Sequence, residues 1–315
     1  ARVLSWIHLG LVAVGLLYRN GYFHQNIDAD GRQQHIYPEH DFSRLPIRPA
    51  AGHTGRAVMV SIPFGDRELH LQVWIALVGR VPLLLLDTDV PQNDSADRPI
   101  TSMLYTPGRE MRLAQELVLG IGGARALEAL GIEPAIWHMN EGHSAFLQFE
   151  RLRRLVLEHG ASFDSAVAEL RRTSVFTTHT PVPAGNEVFD APLIRDYFDP
   201  RCAELGIAPE QWLALGSNDH GEPDQPFNMT ALAIRTSSRI NGVSAVNARV
   251  SARMWHHLIP ANGPEGEQLR AITNGVHHPS WLGLELQELF TSWFGERWPQ
   301  VVTSAEGREA ILAAP

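Results

Sequence analysis

The sequence of 315 residues contains no lysine, and all 26 of its basic residues are arginine. A guanidinium group stays protonated, so apart from the terminal amine no group in the chain can form a Schiff base with an aldehyde cofactor. The single cysteine, Cys202, excludes an internal disulfide framework and is typical of a reducing compartment. We therefore expect a cytoplasmic protein.

Long apolar runs and excess positive charge are also lacking. The most apolar segment, residues 9–17, is too short to cross a bilayer and lacks the features of a secretory signal, so a buried strand and no membrane partner are expected. The net charge is −9, with both signs interspersed, which gives no electrostatic footprint for nucleic acid. A hydrophobic fraction of 44% is typical of a globular protein.

Apolar runs alternate with amphipathic segments along the chain, and this alternation predicts an α/β fold with a doubly wound sheet. Strands are expected at 11–17, 21–23, 33–37, 57–62, 69–78, 81–86, 135–138 and 175–178. Helices are expected at 109–130, 146–159, 163–172, 229–234, 245–255 and 284–294, with a break at 241–242 and a short strand and turn at 271–276. Loops are expected at 45–55, 91–99, 181–185, 218–226 and 260–267.

Polar side chains gather where two of the predicted strands end. His138, Asn140, Glu141 and His143 follow the first strand, and His179 follows the second. Ligands of open parallel sheets bind at the carboxyl ends of the strands. These two strand ends are therefore the best site candidate in the sequence.

Each of these residues also has a simpler interpretation. His138, Glu141 and His143 are metal-ligand types, but the five-residue histidine spacing matches neither HExxH nor HxxEH, so a metal-dependent hydrolase is a minor alternative and no metal site is assigned. Asn140 and Glu141 can instead cap the following helix, whose N-terminus is positive.

Two further candidates have equally ordinary interpretations. Arg112 and Glu116 lie four residues apart on a predicted helix, where they can form a surface ion pair of small energy. Asn274 precedes Gly275, a pair that is common in turns.

Taken together, however, several motifs resemble one family and occur in its order. They are GLLYRNGYF (15–23), LLDTD (85–89), RLAQE (112–116), HMNEGHSAF (138–146), TTHTPVPAG (177–185), NGVS (241–244) and TNGVH (273–277). They resemble the α-glucan (glycogen/starch) phosphorylases of glycosyltransferase family 35, in particular the short bacterial branch. The resemblance extends from about residue 14 to about residue 298.

The resemblance implies a GT-B-type glycosyltransferase with two Rossmann-like lobes and the active site between them. Its activity is phosphorolysis of α-1,4-glucan to glucose 1-phosphate with retention, on glycogen, starch or maltodextrin and inorganic phosphate. Its cofactor is pyridoxal phosphate, which is held by a lysine of the C-terminal lobe and relays the proton through its phosphate group. Since this chain has no lysine, the resemblance implies no cofactor-binding residue here.

The implied organisation is that of a partial enzyme. Residues 1–275 are expected to form the N-terminal catalytic lobe, incomplete at its start, and 276–315 the start of the connection to a C-terminal cofactor lobe outside the chain. The chain alone is expected to be inactive, and the full-length enzyme can be a homodimer. The alternative of a different class is a glucan-binding remnant without catalysis.

The motif match also implies roles for individual residues. His179 falls on the catalytic histidine, whose side chain contacts a glucosyl hydroxyl and whose carbonyl faces the developing oxocarbenium ion. Asn274 falls on a contact to the glucosyl 6-hydroxyl, and Arg112, Glu141 and His143 fall on the pocket beside the sugar. Fixed dipoles suit such a transition state. After NGVS the branch usually carries Leu-His, whereas this chain has Val-Asn at 246–247.

Overall fold

A computed structural model describes residues 10–104, 106–182, 185–218, 225–259 and 269–314. The chain start at 1–9 and most of the loops predicted at 218–226 and 260–267 lie outside the described residues. The strands are β1 (Ala13–Leu16), β2 (His24–Ile27), β3 (Gln33–Ile36), β4 (Ile47–Pro49), β5 (Met59–Phe64), β6 (Arg67–Val78), β7 (Val81–Asp87), β8 (Trp137–Asn140), β9 (Ser174–Thr178), β10 (Val188–Phe189), β11 (Phe227–Asn228), β12 (Arg239–Gly242) and β13 (Leu269–Ala271).

Helices account for most of the remaining chain. They are α1 (Arg109–Leu117), α2 (Gly123–Ala129), α3 (Leu147–His159), α4 (Phe163–Thr173), α5 (Ala191–Glu204), α6 (Pro209–Gly216), α7 (Met229–Arg235), α8 (Ala245–Met254), α9 (His278–Trp281), α10 (Leu284–Phe294), α11 (Trp298–Val301) and α12 (Ala305–Ala313). A π-helical turn, Val118–Gly122, joins α1 to α2, so the helix predicted at 109–130 is continuous but locally widened.

Two main sheets make up the α/β fold. The first has five strands in the order β1-β7-β6-β4, with β5 also paired to β6, and only its β1–β7 pair is parallel. The second is fully parallel, in the order β13-β12-β9-β8. From one edge of this sheet to the other, the strands lie in the same order as along the chain. No reversal of strand order occurs among the hydrogen-bonded strands of the described ranges.

The two sheets share one hydrophobic core. Leu84 and Leu86 of the first sheet, and Met139 and Phe176 of the second, belong to the same buried cluster. Burial raises the pKa of the Cys202 thiol in this core to about 12, so the thiol stays protonated at neutral pH.

The glycines at 120–123 permit close packing of α3 and the first sheet against the α1–α2 helix. A Cβ atom at Gly120 would lie 2.6 Å from the backbone nitrogen of Leu147, and one at Gly122 would lie 2.4 Å from the Leu71 side chain. Both separations are shorter than van der Waals contact. Any side chain at these positions would push neighbouring elements apart.

Most of the predicted elements are confirmed. The N-cap of α4 is Ser162, whose hydroxyl accepts from the Ser165 N–H. Three predictions are wrong. Residues 21–23 form no strand, the loop predicted at 45–55 contains β4, and the break predicted at 241–242 is the end of β12. β12 is short and only Ile240 is apolar within it, so no alternation marks it in the sequence.

Along the C-terminal part of the chain, α9 to α12 bury few side chains. Trp298 is buried, whereas α10 has no buried residue. None of the helices within the described ranges is long and apolar enough to cross a membrane.

Candidate functional site

The candidate site lies at the carboxyl edge of the parallel sheet. Because β8, β9, β12 and β13 all run in the same direction, the residues that follow them meet at one edge. Asn140 is the last residue of β8 and Glu141 follows it, His179 comes just after β9, and Val243 follows β12. The structure thus brings together the two strand ends that the sequence singles out, and adds a third.

His179 is held at three atoms by three different residues. Its backbone N–H donates to Glu141 Oε1 (2.5 Å), and its carbonyl accepts from Asn247 Nδ2 (2.9 Å). Its ring Nε2 lies 2.8 Å from Asn140 Oδ1. An amide oxygen only accepts, so in this arrangement Nε2 carries a proton and donates it to Asn140.

Glu141 has an unusual backbone conformation. Its φ of 67° and ψ of 173° lie in a region that is almost restricted to glycine, and it is the only non-glycine residue with positive φ among the described residues. Its Oε1 also accepts from the Thr180 N–H (2.7 Å) and the Thr180 hydroxyl (3.0 Å). Glu141 therefore ties β8 to the turn after β9. It makes no capping bond to the following helix, so the capping interpretation is wrong.

A row of hydrogen-bonded polar side chains lies beside this turn, and it runs from the exposed His138 to the buried Thr177 and Asn241. The ring Nε2 of His138 lies 2.7 Å from Thr177 Oγ1, and the Thr177 hydroxyl donates to Asn241 Oδ1 (2.8 Å). Burial, with a smaller contribution from His179, lowers the pKa of His138, so its ring is neutral at physiological pH. These two hydrogen bonds connect the neighbouring strands β8, β9 and β12.

A second polar cluster lies next to the strand ends and consists of Arg112, Glu116, His143 and Glu187. Arg112 Nη2 donates to Glu116 Oε1 (3.2 Å), and Arg112 Nε donates to Glu187 Oε2 (3.3 Å). His143 Nδ1 lies 3.2 Å from both Arg112 Nη2 and Glu116 Oε1. Glu116 is only 2% exposed, so the interpretation of Arg112 and Glu116 as a surface pair is wrong.

The protonation states of this cluster depend on one another. The hydrogen bond with Glu116 raises the pKa of His143, and burial raises the pKa of Glu116. When Nδ1 of His143 is protonated it donates to Glu116, and when it is not it accepts from Arg112. The Oε2 atom of Glu116 is buried without a hydrogen-bond partner among the described residues.

Asn274 reaches the same edge of the sheet by its backbone. Its N–H donates to the Val243 carbonyl (3.2 Å), which places it after β13 and beside the end of β12, and it is exposed. All five site residues predicted from the sequence therefore lie at or beside this edge. Glu116, Glu187, Asn241 and Asn247 complete it and had no predicted role in the site. The sequence predicts only that Glu116 pairs with Arg112, and Asn247 is where it departs from the branch pattern.

The arrangement offers amides, an imidazole and oriented carbonyl groups instead of a ligand set for a metal ion. No group of three or more histidine, cysteine, aspartate or glutamate side chains is placed to hold a metal ion in the described part of the chain. His138 and His143 turn to different partners, Thr177 in one case and Glu116 and Arg112 in the other. Fixed dipoles of this kind bind hydroxyl-rich ligands and stabilise developing positive charge.

Comparison with known proteins gives the chain its family. No family model matches it. It is 42% identical over 299 residues to the maltodextrin phosphorylase of Thermococcus litoralis, a match that covers 94% of this chain and 35% of the relative. It is 43% identical over 283 residues to the glycogen phosphorylase of Mycobacterium tuberculosis (86% of this chain, 32% of the relative) and 32% identical over 291 residues to that of Aquifex aeolicus (92% and 41%).

The chain spans about a third of the length of the first two of these curated relatives. Over the region that it spans, this chain belongs to the α-glucan phosphorylase family.

Proposed function

We propose that this chain supplies the glucan-handling side of a longer α-glucan phosphorylase. In that reaction the bond between C1 of a glucosyl unit and the O4 atom of the next unit breaks, and a bond forms from C1 to an oxygen of inorganic phosphate. The proton that the phosphate gives up ends on O4. The products are glucose 1-phosphate, with retained configuration, and a glucan shortened by one unit. The observation that carries the proposal is the fixation of His179 at three atoms, at the ligand-binding edge of a parallel sheet.

His179 has two roles in this proposal. Its carbonyl dipole is aimed at the glucosyl C1, where positive charge develops as the glycosidic bond breaks. Its ring Nδ1 accepts a hydrogen bond from a glucosyl hydroxyl, since Nε2 is used on Asn140. Both roles need a fixed peptide, which Glu141 and Asn247 supply from either side.

The remaining site residues position the sugar. We assign Asn274, at the exposed rim, to the glucosyl 6-hydroxyl. Arg112 and His143 form the wall beside the sugar and are oriented by the buried Glu116. Glu141 acts through the His179 peptide, which it holds in place.

Pyridoxal phosphate belongs to the proposed reaction but is not attached to this chain. The residues present do not fit its covalent attachment, because the chain has no lysine. The proposal therefore assigns the cofactor and its lysine to another part of the longer protein. No step of this chain's own chemistry is assigned to the cofactor.

The same proposal extends to the organisation of the protein. Residues 1–275 are taken as a Rossmann-like, doubly wound lobe of a two-lobe GT-B glycosyltransferase, and 276–315 as the start of the connection to the cofactor lobe. The parallel sheet with flanking helices and the sparse burial along α10 support this division. The longer protein is expected in the cytoplasm, and a homodimer is possible for it.

The test is an assay of the protein encoded by the complete reading frame that contains this region. Purified protein is incubated with maltodextrin in the presence and absence of inorganic phosphate, with and without a chelator. We expect phosphate-dependent release of glucose 1-phosphate that the chelator does not change. Release of free sugars without phosphate would support a hydrolase, and glucan binding without any product would support a binding module; either result contradicts the proposal.

A further inference from the structure

One side chain next to the turn at His179 has a position that is not explained by the folding of its own helix. Asn247 lies in the first turn of α8, three residues after the N-cap Ser244, whose hydroxyl accepts from the Asn247 N–H (3.1 Å). That bond would be made by any residue at this position. The Asn247 side chain is directed away from solvent, with only 9% of the residue exposed.

The Asn247 amide bridges two strand ends. Its Oδ1 accepts from the Val243 N–H (3.1 Å), next to the end of β12, and its Nδ2 donates to the His179 carbonyl (2.9 Å), next to the end of β9. The bridge also restricts its neighbour, because a Cβ atom at Gly242 would lie 2.4 Å from Asn247 Oδ1. Both ends of the amide are thus used, and the amide oxygen leaves no room for a side chain at position 242.

We propose that Asn247 is a positioning residue that fixes the direction of the His179 carbonyl dipole for the reaction. A carbonyl oxygen has two lone pairs, and the Asn247 N–H occupies one of them. The peptide plane between His179 and Thr180 is then held from both sides, since Glu141 Oε1 accepts from the N–H groups of both residues. The second lone pair keeps a fixed direction before substrate arrives.

Preorganisation of this kind matters more for turnover than for binding. A dipole that is already aligned stabilises developing charge without reorganisation at the moment of reaction. A carbonyl that can rotate still allows the sugar to bind, because the hydroxyl contacts come from other residues. The inference rests on the proposed role of His179, and it adds a determinant that the His179 side chain alone does not provide.

Three substitutions at one position separate the possible roles of Asn247. Asn247→Ala removes both hydrogen bonds. Asn247→Asp keeps an acceptor for the Val243 N–H but sets a carboxylate against the His179 carbonyl. Asn247→His retains a ring N–H that can donate to that carbonyl. Asn93→Ala is the matched control, since Asn93 is also buried and bonds backbone atoms of His70 and Thr88 in the first sheet.

The kinetic test uses the longer phosphorylase and measures turnover, the Michaelis constant for maltodextrin and the melting temperature. We expect Asn247→Ala to lower kcat roughly 10- to 100-fold, the usual effect of losing a residue that orients a functional group, with KM changed less than about threefold. Asn247→Asp should be at least as slow, and Asn247→His should recover much of the loss. Asn93→Ala should lower the melting temperature while kcat stays within about twofold of wild type.

A second readout does not depend on turnover. In this chain only His53–Thr54 and His179–Thr180 are His-Thr pairs, so carbonyl-labelled histidine with ¹⁵N-threonine gives two assignable peptide signals. We expect Asn247→Ala to move the His179 carbonyl carbon to lower chemical shift, as loss of a hydrogen bond does, while the His53 signal stays in place.

The two readouts separate the possible failures. If the His179 carbonyl signal did not move, the hydrogen bond from Asn247 to that carbonyl would be contradicted. A moved signal with wild-type kcat would overturn its role in positioning. Absence of glucose 1-phosphate release from the wild-type enzyme would instead overturn the proposed function. The carbonyl shift would then still test the hydrogen bond between Asn247 and His179.

Discussion

At the scale of single residues, the site is maintained by a strained backbone and a small number of directed hydrogen bonds. Glu141 lies in a conformation that costs a non-glycine residue about 1–3 kcal/mol. Its carboxylate accepts three hydrogen bonds from His179 and Thr180, and these offset the strain. Strain of this kind persists where the surrounding structure requires the side chain in that place.

The first prediction separates the strain at Glu141 from its hydrogen bonds. Glu141→Gly relieves the strained φ, whereas Glu141→Ala keeps it, and both remove the acceptor for the His179 and Thr180 amides. We expect Glu141→Gly to be the more stable variant by about 1 kcal/mol or more, measured by urea unfolding. Glu141→Gln, which keeps an acceptor oxygen, should lose about 1 kcal/mol or less. A glycine variant less stable than the alanine variant would contradict the assignment of strain.

The second prediction concerns the Glu116–His143 pair. Because the carboxylate of Glu116 raises the pKa of His143, Glu116→Gln should lower that pKa, as followed by NMR titration of the imidazole ring. Glu128→Gln is the control, because Glu128 is exposed and pairs with Arg154 (3.6 Å). If the pKa of His143 were the same in wild type and Glu116→Gln, the hydrogen bond to Glu116 would not be its cause.

The same pair predicts how stability depends on pH. The pKa of Glu116 and the pKa of His143 are both raised on folding, so the folded chain holds both protons more tightly than the unfolded chain. Their contribution to stability is complete below the unfolded values, about 4.3 and 6.5, and is lost as pH rises through the folded values. We expect the free energy of unfolding to fall less steeply with pH in Glu116→Gln than in wild type.

At the scale of secondary-structure elements, periodicity and strand ends predict much of what the structure has. The strand–helix alternation and the polar groups after β8 and β9 follow from local patterns. β12 could not be predicted from such a pattern. Only one of its four residues is apolar, so no alternation is visible, and the strand ends in a sequence that is typical of a loop. The helices α5 and α6 were not predicted either. Within α5 this is because Pro200 is a residue that normally disfavours the interior of a helix.

The site was predictable only in part, for a physical reason. The sequence shows that His179 and Glu141 follow strands, but their partners depend on which strands are adjacent. Asn247 reaches His179 across 68 residues, and Glu116 reaches His143 across 27. Such pairs follow from sheet order and helix packing. The resemblance of separate motifs to one family identified the predicted residues. Glu116 ends one of these motifs and Asn247 departs from the family pattern, but the resemblance did not indicate which side chains they contact.

The glycines of the α1–α2 helix give a prediction at this scale. Gly120→Ala places a carbon against the backbone of α3, whereas Gly123→Ala meets only a Val14 methyl group at 3.0 Å. Both substitutions gain about 1 kcal/mol of helix propensity, but overpacking costs about 1–3 kcal/mol where the neighbour cannot move. We expect Gly120→Ala to be clearly less stable than Gly123→Ala in chemical denaturation. Equal stabilities would contradict the close approach of α3.

At the scale of the whole molecule, the proposed reaction uses a cofactor that is attached through a primary amine. Its only such amine is the terminal one. We predict that the 315-residue chain, incubated with pyridoxal phosphate and reduced with borohydride, carries no cofactor on any internal residue. We also predict that it releases no glucose 1-phosphate from glycogen or maltodextrin. Cofactor-dependent release from this chain alone would contradict its assignment as part of a longer enzyme.

The central claim is that the turn held at His179 handles the glucosyl unit in the transition state. The most direct measurement compares His179→Ala with wild type in the longer phosphorylase, with His159→Ala as an exposed control on α3. We expect His179→Ala to lower kcat roughly 100-fold or more while the Michaelis constant for maltodextrin changes by only a few-fold, and His159→Ala to resemble wild type. Unchanged kcat with a raised Michaelis constant would contradict the account, because His179 would then only hold the substrate.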